Sequence, residues 1–275
     1  MSIKCFFLSL WPILFYYKGV NTPDMLTDLL KDFSPISLEQ MSGVKLMNRT
    51  DTKFVTTMDK LMMLLEMVKG EYYIQETGGE RNILYDTTYF DTQDFDMYSQ
   101  HQWGHANRQK IRFRTYVNSN LQFMEVKTKN NHGRTKKKRI EVYDMDLHDE
   151  VKREFLGKTL RFDADTLIPH MHNYFRRITL VNRAKTERLT IDTSLQFHNM
   201  QTETDKNMGP LVVIELKRDG LAYSPVLEIL RQLRIFPHGF SKYCMGAALT
   251  NDHLSVNRFK RKLIEIGKIV DSIKN

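Results

Sequence analysis

Between Arg108 and Val142 the chain reads RQKIRFRTYVNSNLQFMEVKTKNNHGRTKKKRIEV, and charged residues recur at alternate positions from Arg108 to Arg114 and from Glu125 to Lys129. Side chains on a strand alternate between two faces, so this period sorts them. Arg112, Arg114 and Tyr116 share one face, while Ile111, Phe113 and Thr115 share the other. Glu125, Lys127 and Lys129 oppose Met124, Val126 and Thr128. Lys137, Arg139 and Glu141 oppose Ile140 and Val142. Turns at Asn118-Ser119-Asn120 and Asn130-Asn131-His132-Gly133 join the three predicted strands into a meander. For any one strand, such charges are ordinarily the solvated side of an antiparallel sheet. Three successive strands with cations in excess repel across the sheet unless an anion lies between them. The charged face is therefore the candidate interior.

The same sorting applies elsewhere. Arg49, Asp51 and Lys53 fall on one face of a predicted strand, as do Arg188, Thr190 and Asp192 of another. Glu215 and Lys217 lie beside Val213 on a third. Strands are predicted at about residues 46–56, 83–90, 109–117, 121–129, 136–143, 174–182, 187–192 and 211–218. Helices are predicted at 25–33, 59–70, 147–156, 159–167, 224–234 and 256–273, with Asp59 capping the second, and a short helix follows Asp91 or Asp94 as its cap. This defines an α+β fold, an antiparallel eight-stranded β-barrel with flanking helices, since eight strands can close around one slim ligand.

Closure would bring together Lys53, Arg112, Arg114, Lys127, Lys137, Arg139, Arg188 and Lys217, with Asp51, Glu125 and Glu215 as acids. Each buried unpaired cation would lose several kcal/mol of hydration, so an anion must fill the space. Arginine forks and lysine point charges suit a chain of phosphates. A carboxylate among so many cations suits a divalent ion, Mg²⁺ or Mn²⁺, held against phosphate oxygens, and Glu215 is the choice for that role. Ser241, Lys242 and Tyr243 lie at a predicted loop-to-helix junction, where free N–H groups favour an anion. His101 and His105 are four apart, but Gly104 lies between them and no Cys or Glu completes a metal set.

The chain has 275 residues, 41 Lys+Arg against 33 Asp+Glu, and a net charge of +8. Polyanions are the natural partner class. Two cysteines, Cys5 and Cys244, build neither a disulfide framework nor a zinc site, which fits a reducing, cytoplasmic location. Residues 25–275 read as a single domain. Residues 1–24 form an apolar extension whose run CFFLSLWPILFYY is short for a membrane span and broken by Pro12. It is read as untranslated sequence ahead of Met25, a signal, or an anchor that would give the protein a membrane association.

The ordered set RTDTKF, TTYFDT with DFDMY, KIRFRTY, MEVKTK, KKKR, ERLTID, VIELK and GFSKY resembles the VTC domain, the polyphosphate polymerase branch of the triphosphate tunnel (CYTH-like) metalloenzymes. The likeness spans about residues 38–249. It implies an antiparallel tunnel fold that holds ATP with basic residues, binds a divalent metal (Mn²⁺ or Mg²⁺) through a glutamate, and adds phosphate to a growing chain. By that resemblance Lys53, Arg112, Arg114, Lys127, Lys137, Arg188 and Lys242 match phosphate-binding positions, Glu215 matches the metal ligand, and Ser241 lies beside the Lys242 position. Arg139 joins them by strand parity, and Arg177 and Lys217 extend the set. The wider superfamily's opening Glu-x-Glu-x-Lys stands here as Arg49-Thr50-Asp51-Thr52-Lys53, which removes an acidic metal site and argues against cyclase or simple hydrolase chemistry.

Three readings stay open: a polymerase using ATP and polyphosphate, an inorganic triphosphatase on the same fold, and a non-catalytic polyanion-binding module. Nucleic acid is disfavoured, because Phe113, Phe123 and Tyr143 do not form a stacking face shared with the cations, Tyr116 being the exception. The sequence contains neither a P-loop nor a kinase glycine loop. Arg114→Ala is expected to lose turnover with little change in melting temperature when no ligand is bound, since like charges are relieved.

Overall fold

Alternation of apolar and polar residues makes the strands, and runs of leucine and methionine at helical spacing make the layers that cover one side of them. The computed structural model describes residues 22–42, 49–132, 134–220 and 223–271. The apolar run at 5–17 and the first residues of the predicted strand at 46–48 lie outside them. Among the described residues no helix is long and apolar enough to cross a membrane.

The strands are β1 (Ser34–Ile36), β2 (Arg49–Thr57), β3 (Tyr72–Gln75), β4 (Ile83–Thr92), β5 (Arg108–Tyr116), β6 (Leu121–Lys129), β7 (Thr135–Val142), β8 (Leu167–Asn182), β9 (Glu187–Asn199), β10 (Thr204–Asn207) and β11 (Leu211–Asp219). The helices are α1 (Thr22–Lys31), α2 (Leu38–Ser42), α3 (Met58–Val68), α4 (Asp96–Gln102), α5 (Glu150–Thr159), α6 (Pro225–Gln232), α7 (Lys242–Thr250) and α8 (Lys260–Val270). All eight predicted main strands form, and the fold is α+β with a largely antiparallel sheet. The hydrogen-bonded order β2-β11-β9-β8-β4-β5-β6-β7 has two ends, so barrel closure is not made by backbone pairing among the described residues.

The helix predicted at 159–167 is not formed. That stretch holds only a short 3-10 turn, Ala164–Thr166, and Leu167 opens β8, which runs through Pro169 to Asn182. Asp59 lies inside the first turn of α3 rather than capping it; Thr57 is the N-cap residue. Asp91 does serve α4 from a distance, accepting the N–H groups of Met97 and Tyr98 at 2.9 Å each.

The chain divides into two compact units. Unit one comprises Met1–Asn82, Arg177–Thr193 and Pro210–Gly239. Unit two comprises Ile83–Arg176, Ser194–Gly209 and Phe240–Asn275, so β8 and β9 contribute residues to both. In unit one, α3 buries Leu61, Leu64, Leu65 and Val68 at i, i+3, i+4 and i+7. These pack in one cluster with Phe54, Leu189, Ile191, Val212, Ile214 and Leu216. Full burial of each such side chain stabilises by about 1.5–3 kcal/mol. That face of β2, β9 and β11 is used up by the core, which leaves their charged face turned away from α3.

Unit two repeats the logic. Ile111, Phe113, Met124, Val126 and Val142 form a cluster with Leu147, Leu156 and Leu160. α5 is capped by Asp149, whose side chain accepts the Lys152 N–H at 3.0 Å. On the opposite face stand the alternating charges. α7 approaches β9 closely: a Cβ at Gly246 would sit 2.7 Å from Phe197 Cδ1, so only glycine fits there.

Candidate phosphate-binding site

In unit two the strand registers set the charges in rows. Lys110, Lys127 and Lys137 lie directly across from one another on β5, β6 and β7. The next row is Arg112, Glu125 and Arg139, and the one after it Arg114, Phe123 and Glu141. Glu125, only 1% exposed, receives Arg112 Nε at 2.7 Å and Lys137 Nζ at 2.8 Å. Burial works to raise this carboxyl, but Arg112, Arg114 and Lys137 overcome it and hold the group well below the usual carboxylate range. One acid thus organises two cations that would otherwise repel.

Arg114 is 6% exposed. Its guanidinium lies 5.2 Å from the Tyr85 ring centre and 5.9 Å from that of Phe175, two rings stacked at 5.2 Å. Lys242 Nζ sits 4.1 Å from the same Phe175 ring. Two cations from β5 and α7 therefore share one buried ring, whose face attracts positive charge. This burial overturns the expectation that Arg114→Ala leaves the melting temperature unchanged. Losing the packed stem and ring contacts should cost about 2 kcal/mol, or roughly 5 °C in a chain of this size. Thermal unfolding without ligand checks it.

Ser241 is the N-cap of α7, its Oγ accepting the Cys244 N–H at 3.3 Å and Lys110 Nζ at 2.7 Å. Tyr243 anchors the helix by donating to Asp91 Oδ2 at 2.6 Å. Burial, then the Asp91 charge, pushes the Tyr243 hydroxyl well above its ordinary value, so it stays a donor. Tyr89 stacks on Tyr243 at 5.5 Å, and its hydroxyl lies 3.4 Å from Arg112 Nη1. His101 and His105 do not form a pair of ligands. α4 ends at Gln102, and His101 Nδ1 instead meets Cys244 Sγ at 3.2 Å.

Unit one carries its own rows. Lys217 lies opposite Asp51 on one side and Arg188 on the other; Glu215 lies opposite Lys53 and Thr190. Glu215 Oε1 is 2.5 Å from Lys53 Nζ and its Oε2 is 2.9 Å from Lys217 Nζ. Burial alone would raise this carboxyl, yet Lys217 and Lys53 hold it well below the ordinary range. Arg177 grips Asp192 with two bonds, at 2.6 and 2.8 Å. Arg188 donates to the Met41 carbonyl at 3.4 Å. Among the described residues no three His, Cys, Asp or Glu side chains cluster as metal ligands. The metal expectation therefore rests on Glu215 by itself, a carboxylate whose two oxygens each face a lysine ammonium group.

Not every predicted interior residue is enclosed. Lys127, Lys137 and Arg139 are exposed. β7 ends the hydrogen-bonded order, so solvent reaches its side chains. Sequence reasoning also missed Lys110, although it shares strand parity with Arg112 and Arg114. Phe123 was set apart from the cations, yet it lies opposite Arg114 with the Arg139 guanidinium 4.4 Å from its ring centre.

The depressed carboxyl of Glu125 makes a pH prediction. A folded-state value below the unfolded one adds stability that is present above the unfolded value, about 4.3, and is lost as pH falls toward the folded one. Glu125→Gln should therefore be less stable near pH 7 and lose less stability than the parent between pH 5 and 2.5. Urea unfolding across that range measures both, with Glu215 supplying a remaining slope.

The sequence profile of the VTC domain matches residues 48–251. The chain belongs to the VTC domain family. A search of curated protein sequences finds no match. Among solved structures, a putative adenylate cyclase from Bacillus halodurans is similar at 15% identity and TM-score 0.46, covering 71% of this chain and 96% of that one. A Hippeastrum protein described as a putative adenylyl cyclase with a dominant triphosphatase activity is similar at 14% identity and TM-score 0.46, covering 73% and 95%. The PH1819 protein of Pyrococcus horikoshii OT3 is similar at 13% identity and TM-score 0.40, covering 73% and 98%. At these scores the likeness says nothing of substrate or reaction.

Proposed function

We propose that this chain is a polyphosphate polymerase that moves the γ-phosphoryl group of ATP onto the end of a phosphate chain. The observation that carries the reading is the row Lys110, Lys127 and Lys137, three like charges directly opposite one another, beside a row in which Glu125 lies between Arg112 and Arg139 and bonds Arg112 and Lys137. Like charges so placed repel across a sheet, and a phosphate chain lying along them relieves that repulsion. Membership of the VTC domain family supports the same reading.

The terminal phosphate oxygen attacks the γ-phosphorus. The bond from that phosphorus to the bridging oxygen breaks, and ADP leaves with the oxygen. A terminal phosphate is already an anion at neutral pH, so the acceptor needs no general base. What the residues must supply is charge neutralisation and alignment. In unit two Arg112, Arg114 and Lys127 take the neutralising role, and Lys137, Arg139, Ser241 and Lys242 hold the chain. In unit one Arg188 neutralises, while Lys53, Lys217 and Arg177 hold phosphate. Glu215 would hold Mn²⁺ or Mg²⁺ with phosphate oxygens, and when bound the ion supplies further neutralisation of phosphate charge.

Incubation of the purified protein with ATP and Mn²⁺, followed by gel analysis of phosphate chains and assay of ADP, tests the proposal. Chains together with ADP are expected. Orthophosphate released from tripolyphosphate without chains would instead establish a triphosphatase, and binding without turnover a polyanion-binding module.

A further inference from the structure

The β6–β7 hairpin places seven cations between Lys127 and Arg139 with no acid in the interval. Lys127, Lys129, Lys137 and Arg139 take the face of Arg112, as the pairings Lys127↔Lys137, Lys129↔Thr135 and Glu125↔Arg139 require. Lys136 and Lys138 take the opposite face, across from Thr128 and Val126. Further along that outer face Val142 is buried and Ile140 packs on the core, so the strand changes from apolar to cationic midway. Thr135–Arg139 is exposed throughout. Lys136 and Lys138 have no ion-pair partner among the described residues. An edge strand needs a lysine or so to discourage pairing with another chain. That need does not account for four consecutive cations, or for the lack of any acid to offset them.

We propose that Lys136 and Lys138 form a second contact for long polyphosphate, on the outer face of β7, distinct from the phosphates held along the Lys110–Lys127–Lys137 row. This rests on the reading of the inner face as a phosphate site. A chain leaving Lys137 and Arg139 passes over the edge of β7, where cations alternate from face to face. Lys136 and Lys138 stand two residues apart, roughly 7 Å, a spacing that a flexible phosphate polymer bridges without any fixed register. Single-stranded RNA is the lesser candidate, because the outward residues Thr128, Lys136, Lys138 and Ile140 offer no ring on which a base could stack.

The double variant Lys136→Glu/Lys138→Glu tests this, with Lys136→Gln/Lys138→Gln as its neutral counterpart. Labelled polyphosphate of about a hundred units should bind the charge-reversed variant at least about tenfold more weakly at low salt, and the slope of log affinity against log salt should flatten by about 1.4 for two lost contacts. The neutral pair should shift in the same direction by less. Tripolyphosphate affinity and ADP formation from ATP should stay within about twofold of the parent, since neither requires the outer face. Unchanged long-chain affinity and salt slope would overturn the proposal, as would an RNA of equal charge binding more tightly than polyphosphate and losing that binding in the variant. Should the parent make no ADP, the polymerase reading fails while long-chain binding still decides this one.

Discussion

Replacing Arg112 by lysine should lower turnover by about a hundredfold or more while leaving the fold nearly as stable as before. The guanidinium meets Glu125 through both Nε and Nη2, at 2.7 and 2.5 Å. Lysine keeps one charge for that carboxylate but loses the planar fork that could also reach a phosphate oxygen. Removing one well-aimed donor from a developing charge costs about 10²–10³ in rate. Stability should fall by only about 1 kcal/mol, one hydrogen bond's worth. Arg112→Ala is the contrast: it leaves buried Glu125 with Lys137 as its remaining bonded cation, and truncating one member of a buried pair costs about 3–5 kcal/mol. Steady-state ADP formation and urea unfolding on both variants separate catalysis from folding. Full turnover in Arg112→Lys would take the fork out of the reaction.

The second large effect is expected at Glu215. Glu215→Gln removes the charge that Lys53 and Lys217 both face, and with it the one carboxylate assigned to a divalent ion. Turnover should fall at least about a hundredfold, and the dependence on Mn²⁺ concentration should shift to much higher values or vanish, as loss of a charged ligand requires. Burial already pushes the Lys217 ammonium below its ordinary value, with Glu215 opposing that drift. In the variant Lys217 should therefore lose its proton at lower pH. Mn²⁺ titration monitored by turnover, with unfolding measured in parallel, checks the assignment. An unchanged Mn²⁺ profile would mean that the ion, if used, is held elsewhere.

Strand parity made the charged faces legible in the sequence. The register did not follow from it: that Lys110, Lys127 and Lys137 form one row depends on the lengths of two turns. Lys110 lies inside the strand predicted at 109–117 and has the parity of Arg112 and Arg114, but parity alone does not show that it meets Lys127. The full length of β8 is hidden in the sequence because Pro169 lies two residues inside it, and a strand tolerates proline near its start. β1, β3 and β10 are each only three or four residues long, too short to show alternation. The burial of Arg114 was not legible either, since its rings come from Tyr85 and Phe175, far from it in sequence.

The most direct test is a crystal structure with tripolyphosphate. The account predicts phosphate oxygens against Lys110, Lys127, Lys137 and Arg112, with Glu125 still bridging its two cations. Tripolyphosphate bound only away from that face, or no binding at millimolar concentration, would contradict it.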